Sequence, residues 1–537
     1  MTNNFQPLLT AAAALGPLLL LGLGSLPAAF LNRHALPAAR AAARVALAAF
    51  GFSLLALACL VAGGKADGHW LLAGPFTLGV HVDNLTIILL VLVSFLLAVV
   101  TRYSINYLAG DPGQGRFTKW LCLTGGCVLV IVISGNLLQF ALAWSATSWC
   151  LHQLLMFYPG RPGAVLAARK KFIISRLGDL CLLIVLVLVF KKFHTWEFSA
   201  IFAACQALHA SDLAAGWFGI NAICFLLVAG AMMKSAQFPF HSWLPDTMET
   251  PTPVSALMHA GIINAGGYLI IRLSPLVTLS AAAMSTLALF GAFTALFASL
   301  VMLTHASVKR SLAFSTVAQM GFMMLECGLG AFGLATLHIV AHSLYKAHAF
   351  LASGSLPTLV KSAWLPPDQQ KSRAGTLAAA LGMAVLLGLA GDWLFHLDAR
   401  HAPAGFVLEC TFVMALAYSL WNLWSQSVSL TGALLGALVA GGIAAAYFAL
   451  HTLFDQLITA NPWDNQQLNS LPGRVVIIIL LALFFGVLVI QTELPRWTSR
   501  PFFQALYVHA RNGFYFTTLA NRAVAALWPV KMPPAKS

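Results

Sequence analysis

Gly230-Ala-Met-Met-Lys234-Ser-Ala-Gln-Phe-Pro239-Phe-His-Ser-Trp-Leu-Pro245-Asp246 is the stretch of sequence that decides the fold. It continues an apolar run and places a lysine where a membrane helix would lie buried. Because proline removes a backbone hydrogen bond and clashes with the preceding turn, Pro239 and Pro245 predict a helix that breaks beside Lys234. Broken helices at membrane depth line polar cavities, so Lys234 is a candidate proton carrier. The alternative is a lysine whose side chain reaches the membrane surface.

The composition of the whole chain supports a membrane setting. Of 537 residues, 60% are hydrophobic and only 9% are charged, whereas soluble domains carry about 25% charged residues. A bilayer core needs roughly 20 apolar residues per helix. The sequence therefore predicts an all-α polytopic membrane protein with about 15 transmembrane helices. The net charge of +14 is spread over short loops, which argues against nucleic-acid binding.

Apolar length sets the expected spans. They cover residues 8–31, 41–63, 80–101, 118–134, 137–157, 172–190, 217–235, 252–271, 276–304, 312–328, 331–353, 375–395, 405–424, 431–453 and 474–491.

Basic residues gather in every second loop between these spans. The first loop holds Arg33, Arg40 and Arg44, and the fifth holds Arg161, Arg169, Lys170 and Lys171. Positive loops stay in the cytoplasm. We therefore expect a bacterial inner (plasma) membrane protein with a periplasmic N-terminus and a cytoplasmic C-terminus. The tail at 492–537 mixes aromatic and basic residues, which is typical of an amphipathic segment at the membrane surface or on a partner.

A second group of titratable residues shares one helical face. His338, His342 and Lys346 follow one another at intervals of four, so they form a stripe on one side of a helix. Histidine titrates near neutral pH, so such a stripe can relay protons, and His259 can add a further step. A metal site is the rival interpretation, but no acid or thiol nearby completes a ligand set.

Arg176 and Asp179 lie one turn apart at the start of a predicted span. They can form an ion pair with each other. Asp179 can instead face Lys234 and tune its charge.

At Lys234 the sequence resembles a known family, the proton-translocating subunits of respiratory complex I (NuoL type) and of Mrp antiporters. The resemblance continues through Pro251-Thr-Pro-Val-Ser-Ala-Leu-Met-His259 and Ser311-Leu-Ala-Phe-Ser315 and spans roughly residues 80 to 355. It implies two inverted five-helix repeats, each with a broken helix and a half-channel. By resemblance Lys234 is the central proton carrier, with Asp179 the acid near it and Arg176 the neighbour of that acid. His259, His338, His342 and Lys346 match the connecting polar axis.

This resemblance sets the expected domains: N-terminal transmembrane helices (1–117), a first inverted repeat (118–271), a second inverted repeat (276–424), C-terminal transmembrane helices (431–491) and an amphipathic cytoplasmic tail (492–537).

The sequence departs from the family pattern in two places. Ser145 follows Trp144 where the family usually has a glutamate, and residues 378–395 lack the lysine of the second half-channel. Lys309 and Asp392 are the remaining candidates for that half-channel. These losses argue against a working complex I subunit. The segment Pro162-Gly-Ala-Val-Leu-Ala-Ala-Arg-Lys-Lys-Phe172 resembles the DabB group more closely. That resemblance implies conduction of H+ or Na+ and a large soluble DabA-type partner on the cytoplasmic face, a zinc protein similar to carbonic anhydrases that converts CO2 to bicarbonate.

Two other functions stay open at this stage. One is a proton-pumping subunit of a complex I-like or Mrp-type cation/proton antiporter, and the other is a non-conducting membrane anchor for a soluble enzyme. The chain carries no phosphate loop, dinucleotide-binding motif or haem ligand set. We therefore expect no enzyme chemistry, metal or cofactor in this chain, and zinc only in the partner.

Overall fold

The computed structural model describes residues 5–73, 76–208, 217–305, 307–353, 374–395, 403–426, 430–458, 471–497 and 500–528. Helices dominate, and eleven of the described helices are long and apolar enough to cross a membrane. The chain is an all-α polytopic membrane protein. The number of about 15 spans and the division into inverted repeats stay predictions.

In chain order the helices are α1 (Phe5–Ser25), α2 (Ala28–Arg33), α3 (Ala35–Gly63), α4 (Asn84–Tyr107), α5 (Gln114–Ile133), α6 (Leu137–Leu155), α7 (Pro162–Phe193), α8 (Phe198–Ala207), α9 (Trp217–Lys234), α10 (Trp243–Asp246), α11 (Thr252–Ala260), α12 (Ala265–Arg272), α13 (Ser274–Val277), α14 (Ala281–Leu303), α15 (Val308–Gly328), α16 (Phe332–Ser353), α17 (Ala374–Phe395), α18 (Pro403–Gln426), α19 (Leu430–Leu457), α20 (Leu471–Trp497), α21 (Pro501–Arg511) and α22 (Phe516–Leu527).

A β-hairpin that the sequence analysis did not predict joins α3 to α4. Its strands β1 (Ala66–Ala73) and β2 (Phe76–Val82) pair in antiparallel fashion. The predicted span at 80–101 is therefore wrong at its start, because residues 80–82 belong to β2. Asp83 ends the hairpin and begins α4, since its side chain accepts a hydrogen bond from the Thr86 amide at 2.8 Å. We call this end of the molecule the hairpin end.

Helix α7 begins ten residues earlier than the predicted span at 172–190, so the assignment of residues 169–171 to a basic loop is wrong. Lys170 and Lys171 are buried within the helix instead. The Lys170 Nζ lies 2.6 Å from an Asp246 oxygen, and the Lys171 Nζ donates to the Ser148 carbonyl at 2.9 Å. Because each ammonium finds a partner inside the protein, its charge does not end the helix.

Two helices are interrupted inside the helical bundle. Helix α9 ends at Lys234, and the chain passes through Ala236, whose φ of 49° is rare for an alanine, before Pro239 starts a short 3₁₀ turn. The next span is split between α11 and α12 at Gly261, where the predicted span 252–271 was continuous. Each interruption frees backbone carbonyl groups for other donors.

Glycines allow close helix crossings around these breaks. A Cβ atom at Gly178 or Gly230 would lie 3.8 Å from the carbonyl oxygen of the other, which places α7 against α9. A Cβ atom at Gly266 would lie 2.4 Å from the Ser235 Oγ, so α12 packs directly on the residue after the break. Small residues at such crossings let backbones approach each other in membrane proteins.

The tail folds back onto the bundle. The Phe516 ring packs edge-on against the Phe238 ring with centroids 4.7 Å apart. At the other end of α22, the Trp528 carbonyl accepts a hydrogen bond from Arg169 at 2.8 Å. The described part of the tail therefore covers the region just after the break in α9.

Candidate ion path

Lys234 sits in a buried polar niche between α6 and α9. Its side chain is 8% exposed. The Nζ atom donates to the Ser148 Oγ at 2.9 Å and lies 3.4 Å from the Trp144 carbonyl oxygen. It also lies 4.2 Å from the centre of the Trp144 ring, a cation–π distance. Ser148 and Trp144 thus contact the lysine, and Ser145, at the family's glutamate position, is half-buried on the same helix.

A second lysine reaches the same turn of α6. The Lys171 Nζ donates to the Ser148 carbonyl at 2.9 Å, while Lys234 binds the Ser148 hydroxyl. The side chain of Lys171 is 3% exposed. The two nitrogen atoms are therefore joined through one residue, an arrangement that the sequence analysis did not anticipate.

The pair of Arg176 and Asp179 forms on α7, with Arg176 Nη2 2.7 Å from Asp179 Oδ2. Asp179 is followed on this helix by a run of apolar residues and is preceded directly by Gly178, which faces α9. The acid therefore lies one residue from the crossing with the helix that carries Lys234.

The predicted stripe on α16 points inward at all three positions. Lys346 is fully buried, and its Nζ donates to the Leu312 carbonyl at 3.1 Å. The His342 ring donates from Nε2 to the His259 carbonyl at 3.2 Å. That carbonyl lies in the last turn of α11, where the interruption leaves it without a helical partner. This hydrogen bond therefore joins the interrupted span α11–α12 to the stripe on α16.

His259 is fully buried and completes this connection. Its Nδ1 lies 3.1 Å from the Thr316 Oγ1 on α15, and its ring stacks on Phe350 with centroids 4.2 Å apart. Its Nε2 has no hydrogen-bond partner among the described residues. A buried nitrogen in this state can accept a proton or a water molecule.

The stripe ends at an acid that the sequence analysis missed. Glu326 lies in the last turn of α15, and its Oε2 is 2.9 Å from the His338 Nδ1. Both side chains are less than one-tenth exposed. The rings of His338 and His342 are 6.0 Å apart. Glu326 stands in an apolar run, Met-Met-Leu-Glu-Cys, so the same rule that singled out Lys234 could have found it.

The remaining predicted residues lie elsewhere. Lys309 is half-buried in the first turn of α15, and Asp392 is half-buried near the end of α17, so they lie at opposite ends of their helices. Pro239 begins the 3₁₀ turn after the break, and Pro245 is buried in α10.

A separate charged cluster holds the hairpin end together. Arg272, the last residue of α12, is 3% exposed and binds both oxygens of Asp83, at 2.7 and 3.1 Å. It also donates to Thr86 and to the Tyr268 hydroxyl. Burial raises the pKa of the Asp83 carboxyl, but the Arg272 charge and the His81 hydrogen bond outweigh burial and hold that pKa well below its usual range.

Among the residues the structure describes, no three His, Cys, Asp or Glu side chains converge as a metal site. Apart from the Lys170–Asp246 and Arg272–Asp83 pairs, the buried groups described above form two sets: lysines 171 and 234 with an ion pair nearby, and a run from Lys346 through the histidines to Glu326. Lysine and histidine are proton carriers, whereas Na+ prefers oxygen ligands.

The sequence and the fold are similar to those of known proteins. Residues 134–363 match the family model for NADH:quinone oxidoreductase/Mrp antiporter membrane domains, and residues 70–118 match the N-terminal model of complex I chain 5. A protein from Halothiobacillus neapolitanus, described as probable inorganic carbon transporter subunit DabB2, is 40% identical over 91% of this chain and 89% of its own length. The chain belongs to the DabB family. A DabB from Hydrogenovibrio crunogenus is 35% identical over 84% of both chains.

The DabB family is related in turn to quinone reductases. Chain 5 of NAD(P)H-quinone oxidoreductase from Synechocystis is 36% identical over 58% of this chain and 47% of that chain. Among solved structures, the Mrp complex from Dietzia matches 96% of this chain and 59% of its own chain, with a TM-score of 0.61 and 23% identity. The fold is therefore that of an antiporter-type membrane subunit, and the chain is a membrane subunit of the transporter type.

Proposed function

We propose that the chain conducts protons through the bilayer as the membrane subunit of an energy-coupled complex that accumulates inorganic carbon. The observation that carries the proposal is the set of buried titratable side chains at the two helix interruptions. Charged side chains inside a membrane protein are costly, so their retention points to transport.

The first step of the proposed path uses the two lysines that meet at Ser148. Two ammonium groups joined through one residue repel each other, so a proton that arrives on Lys171 favours release from Lys234. In this role Lys171 replaces the family glutamate, whose position is occupied by Ser145. Charge switching of Lys234 is then driven by repulsion from a second cation instead of attraction to an acid.

The second step passes along α16. A proton that reaches Lys346 moves through His342 and His338 to the Glu326 carboxylate, with His259 bridging to α15. The ring spacing of 6.0 Å between His338 and His342 leaves room for a bridging water molecule, as proton relays require.

The names of the relatives support the coupling to carbon uptake. The two DabB proteins are described as probable inorganic carbon transporter subunits. In our proposal a large soluble DabA-type zinc partner, similar to carbonic anhydrases, binds the cytoplasmic face and hydrates CO2. Downhill proton flow through this chain then makes hydration one-way.

A second candidate function is cation/proton antiport or redox-driven pumping. It is favoured by the match of residues 134–363 to the antiporter family model. The absence of the glutamate at Ser145 disfavours it. An imposed Na+ gradient that acidifies or alkalises vesicles containing this chain would support the antiporter over the proton conductor.

The test is reconstitution with the soluble partner in vesicles that hold a pH-sensitive dye, with and without an uncoupler. Lys234→Ala should abolish proton flux and carbon hydration while the complex still assembles. Lys191→Ala, at an exposed lysine near the end of α7, is the matched control and should behave as the unmodified chain does. Normal hydration and flux in Lys234→Ala would refute conduction and leave only the anchor function.

A further inference from the structure

Helix α19 carries a second stripe of titratable side chains. Tyr447, His451 and Asp455 follow one another at intervals of four residues, so they share one face of the helix. The Tyr447 and His451 rings are 5.9 Å apart. The His451 Nε2 lies 2.9 Å from an Asp455 oxygen. The stripe has the same spacing as the one on α16.

The helix that carries the second stripe packs against α16, and its Tyr447 end is within electrostatic range of Glu326. The Glu326 carboxylate is close enough to the Tyr447 hydroxyl for their charges to interact, as are those of Glu409 and Asp455. The Tyr447 ring is fixed by stacking on Phe412, with centroids 4.0 Å apart. A tyrosine held in this way can pass a proton through its hydroxyl without moving its ring.

The outer end of the stripe opens at the hairpin end. The side chain of Asp455 is 47% exposed, whereas that of His451 is 15% exposed. Two residues farther on, the Leu457 carbonyl accepts a hydrogen bond from Asn84 at the start of α4. Asp455 also packs against Gly333 at the start of α16, where a Cβ atom would lie 3.0 Å from the Asp455 Cα. Exposure thus rises from His451 to Asp455, the outermost residue of the stripe.

Two nitrogen atoms along this route lack protein partners. His338 Nε2 and His451 Nδ1 are buried and have no hydrogen bond among the described residues. Buried polar atoms normally have partners, and water supplies them where protein does not. Along the proposed route, the His338 atom precedes Glu326 and the His451 atom follows Tyr447. Water molecules bound at these two nitrogen atoms would connect the side chains into one hydrogen-bonded chain.

We propose that Tyr447, His451 and Asp455 form the mouth of the second half-channel and connect Glu326 to the hairpin end. This inference rests on the proposed proton conduction. It assigns to α19 the role that a lysine has in the family. This chain has no lysine at the corresponding residues, 378–395. The proton passes from the Glu326 carboxyl to the Tyr447 hydroxyl as the latter releases its own proton toward His451, and Asp455 delivers it to water.

The first test compares proton flux in vesicles for Tyr447→Phe, His451→Gln and Asp455→Asn. Tyr447→Phe keeps the ring stacked on Phe412 and removes only the hydroxyl. Flux should fall about tenfold or more in each variant, because a positioned proton-transfer group commonly contributes at least that much. Tyr507→Phe and His348→Gln, at exposed positions on α21 and α16, should leave flux unchanged.

The second test asks whether Asp455 forms the opening of the proton route or only a structural ion pair with His451. Asp455→Cys is treated with one of two thiol reagents that do not cross membranes, one carrying a negative sulfonate and the other a positive ammonium group. The sulfonate adduct should restore proton flux and the ammonium adduct should suppress it, because the two adducts differ in the sign of the charge at position 455. The unmodified chain, treated in parallel, reports any effect on the native cysteines.

The outcomes distinguish the two proposals. Loss of flux in the α19 variants and in Lys234→Ala supports both. Normal flux in the α19 variants, with flux abolished in Lys234→Ala, overturns the α19 route alone. Equal flux with both adducts would also refute the claim that Asp455 lies at the mouth of the half-channel. No dye response in the unmodified chain overturns conduction itself and the route with it.

Discussion

Replacing Asp83 with asparagine isolates the contribution of one charge to the stability of the hairpin end. Asparagine can still accept the Thr86 amide, so the start of α4 keeps its cap. What disappears is the negative charge opposite Arg272, which is 3% exposed. A guanidinium that remains buried without a counter-charge is expected to cost about 3–5 kcal/mol.

The geometry gives a similar figure by a different argument. Two unit charges about 4 Å apart attract with about 4 kcal/mol at an effective dielectric constant of about 20. Arg272 keeps its hydrogen bonds to Thr86 and Tyr268 in the variant, which places the expected loss at the lower end of the range. The free energy of unfolding is measured by denaturant titration in detergent micelles, with helix content as the signal.

Two controls make this prediction sharp. Asp67→Asn, at a residue whose side chain is 46% exposed, should lower stability by less than about 1 kcal/mol. The double variant of Asp83→Asn and Arg272→Gln should be more stable than the sum of its single variants predicts. A loss below about 1 kcal/mol in Asp83→Asn would refute the claim that this ion pair secures α12 to α4.

The remaining predictions concern acid stability, helix packing and the ion path. Because the folded state holds the pKa of Asp83 below its usual range, the unfolded chain binds the extra proton first as pH falls. The stabilisation is therefore complete above about pH 4 and is lost as pH falls further toward the folded pKa; unfolding titrations should show this slope in the unmodified chain and not in Asp83→Asn. Gly321→Ala should destabilise by about 1–3 kcal/mol, because a Cβ there would lie 2.5 Å from a backbone nitrogen of α14; Gly382→Ala, with no atom within 4 Å, should not, and equal unfolding midpoints would contradict the crossing. Ser148→Ala removes the hydroxyl that binds the lysine at the end of α9 and should reduce proton flux without lowering thermal stability by more than a few degrees; unchanged flux would argue against this contact. Thr316→Val, which keeps the branched shape of the side chain, should slow flux because it removes the hydroxyl that contacts His259; a normal rate would assign that contact to packing alone.

The sequence was most informative where one local rule dominated. Apolar length located most spans to within a few residues, because a membrane segment must satisfy its own backbone hydrogen bonds over a fixed thickness. Prolines after Lys234 predicted an interruption, and α9 ends at that residue. The spacing of four in the α16 stripe predicted a shared face, and His342 and Lys346 are both buried on it.

The sequence was least informative where partners are distant. Lys170 looks like a loop residue until Asp246, 76 positions later, is seen to bind it. Nothing in the neighbouring sequence marks Ser148, because a serine in an apolar helix is common. Its role depends on Lys171 and Lys234, which are distant in sequence and both bind it in the structure. The hairpin was missed because its apolar second strand runs directly into α4 and reads as part of the same span.

Glu326 is a different kind of omission. It is an acid within an apolar helix, which alone marks it as a candidate, but it lies outside the motifs that carry the family resemblance. Its hydrogen bond to His338 depends on the return of α16 beside α15, which spacing alone does not reveal. That the departures at Ser145 and in residues 378–395 are losses of function stays a prediction, and the residues that surround these positions became apparent only in three dimensions.

The packing of Phe516 on Phe238 has a consequence for biogenesis. Ribosomes make the chain from its N-terminus, so Phe516 can reach its site only after every preceding segment has been synthesised and inserted. Until then the residues that follow the break lack their cover. A chain in which α22 has not yet folded back therefore leaves the Phe238 ring without this contact.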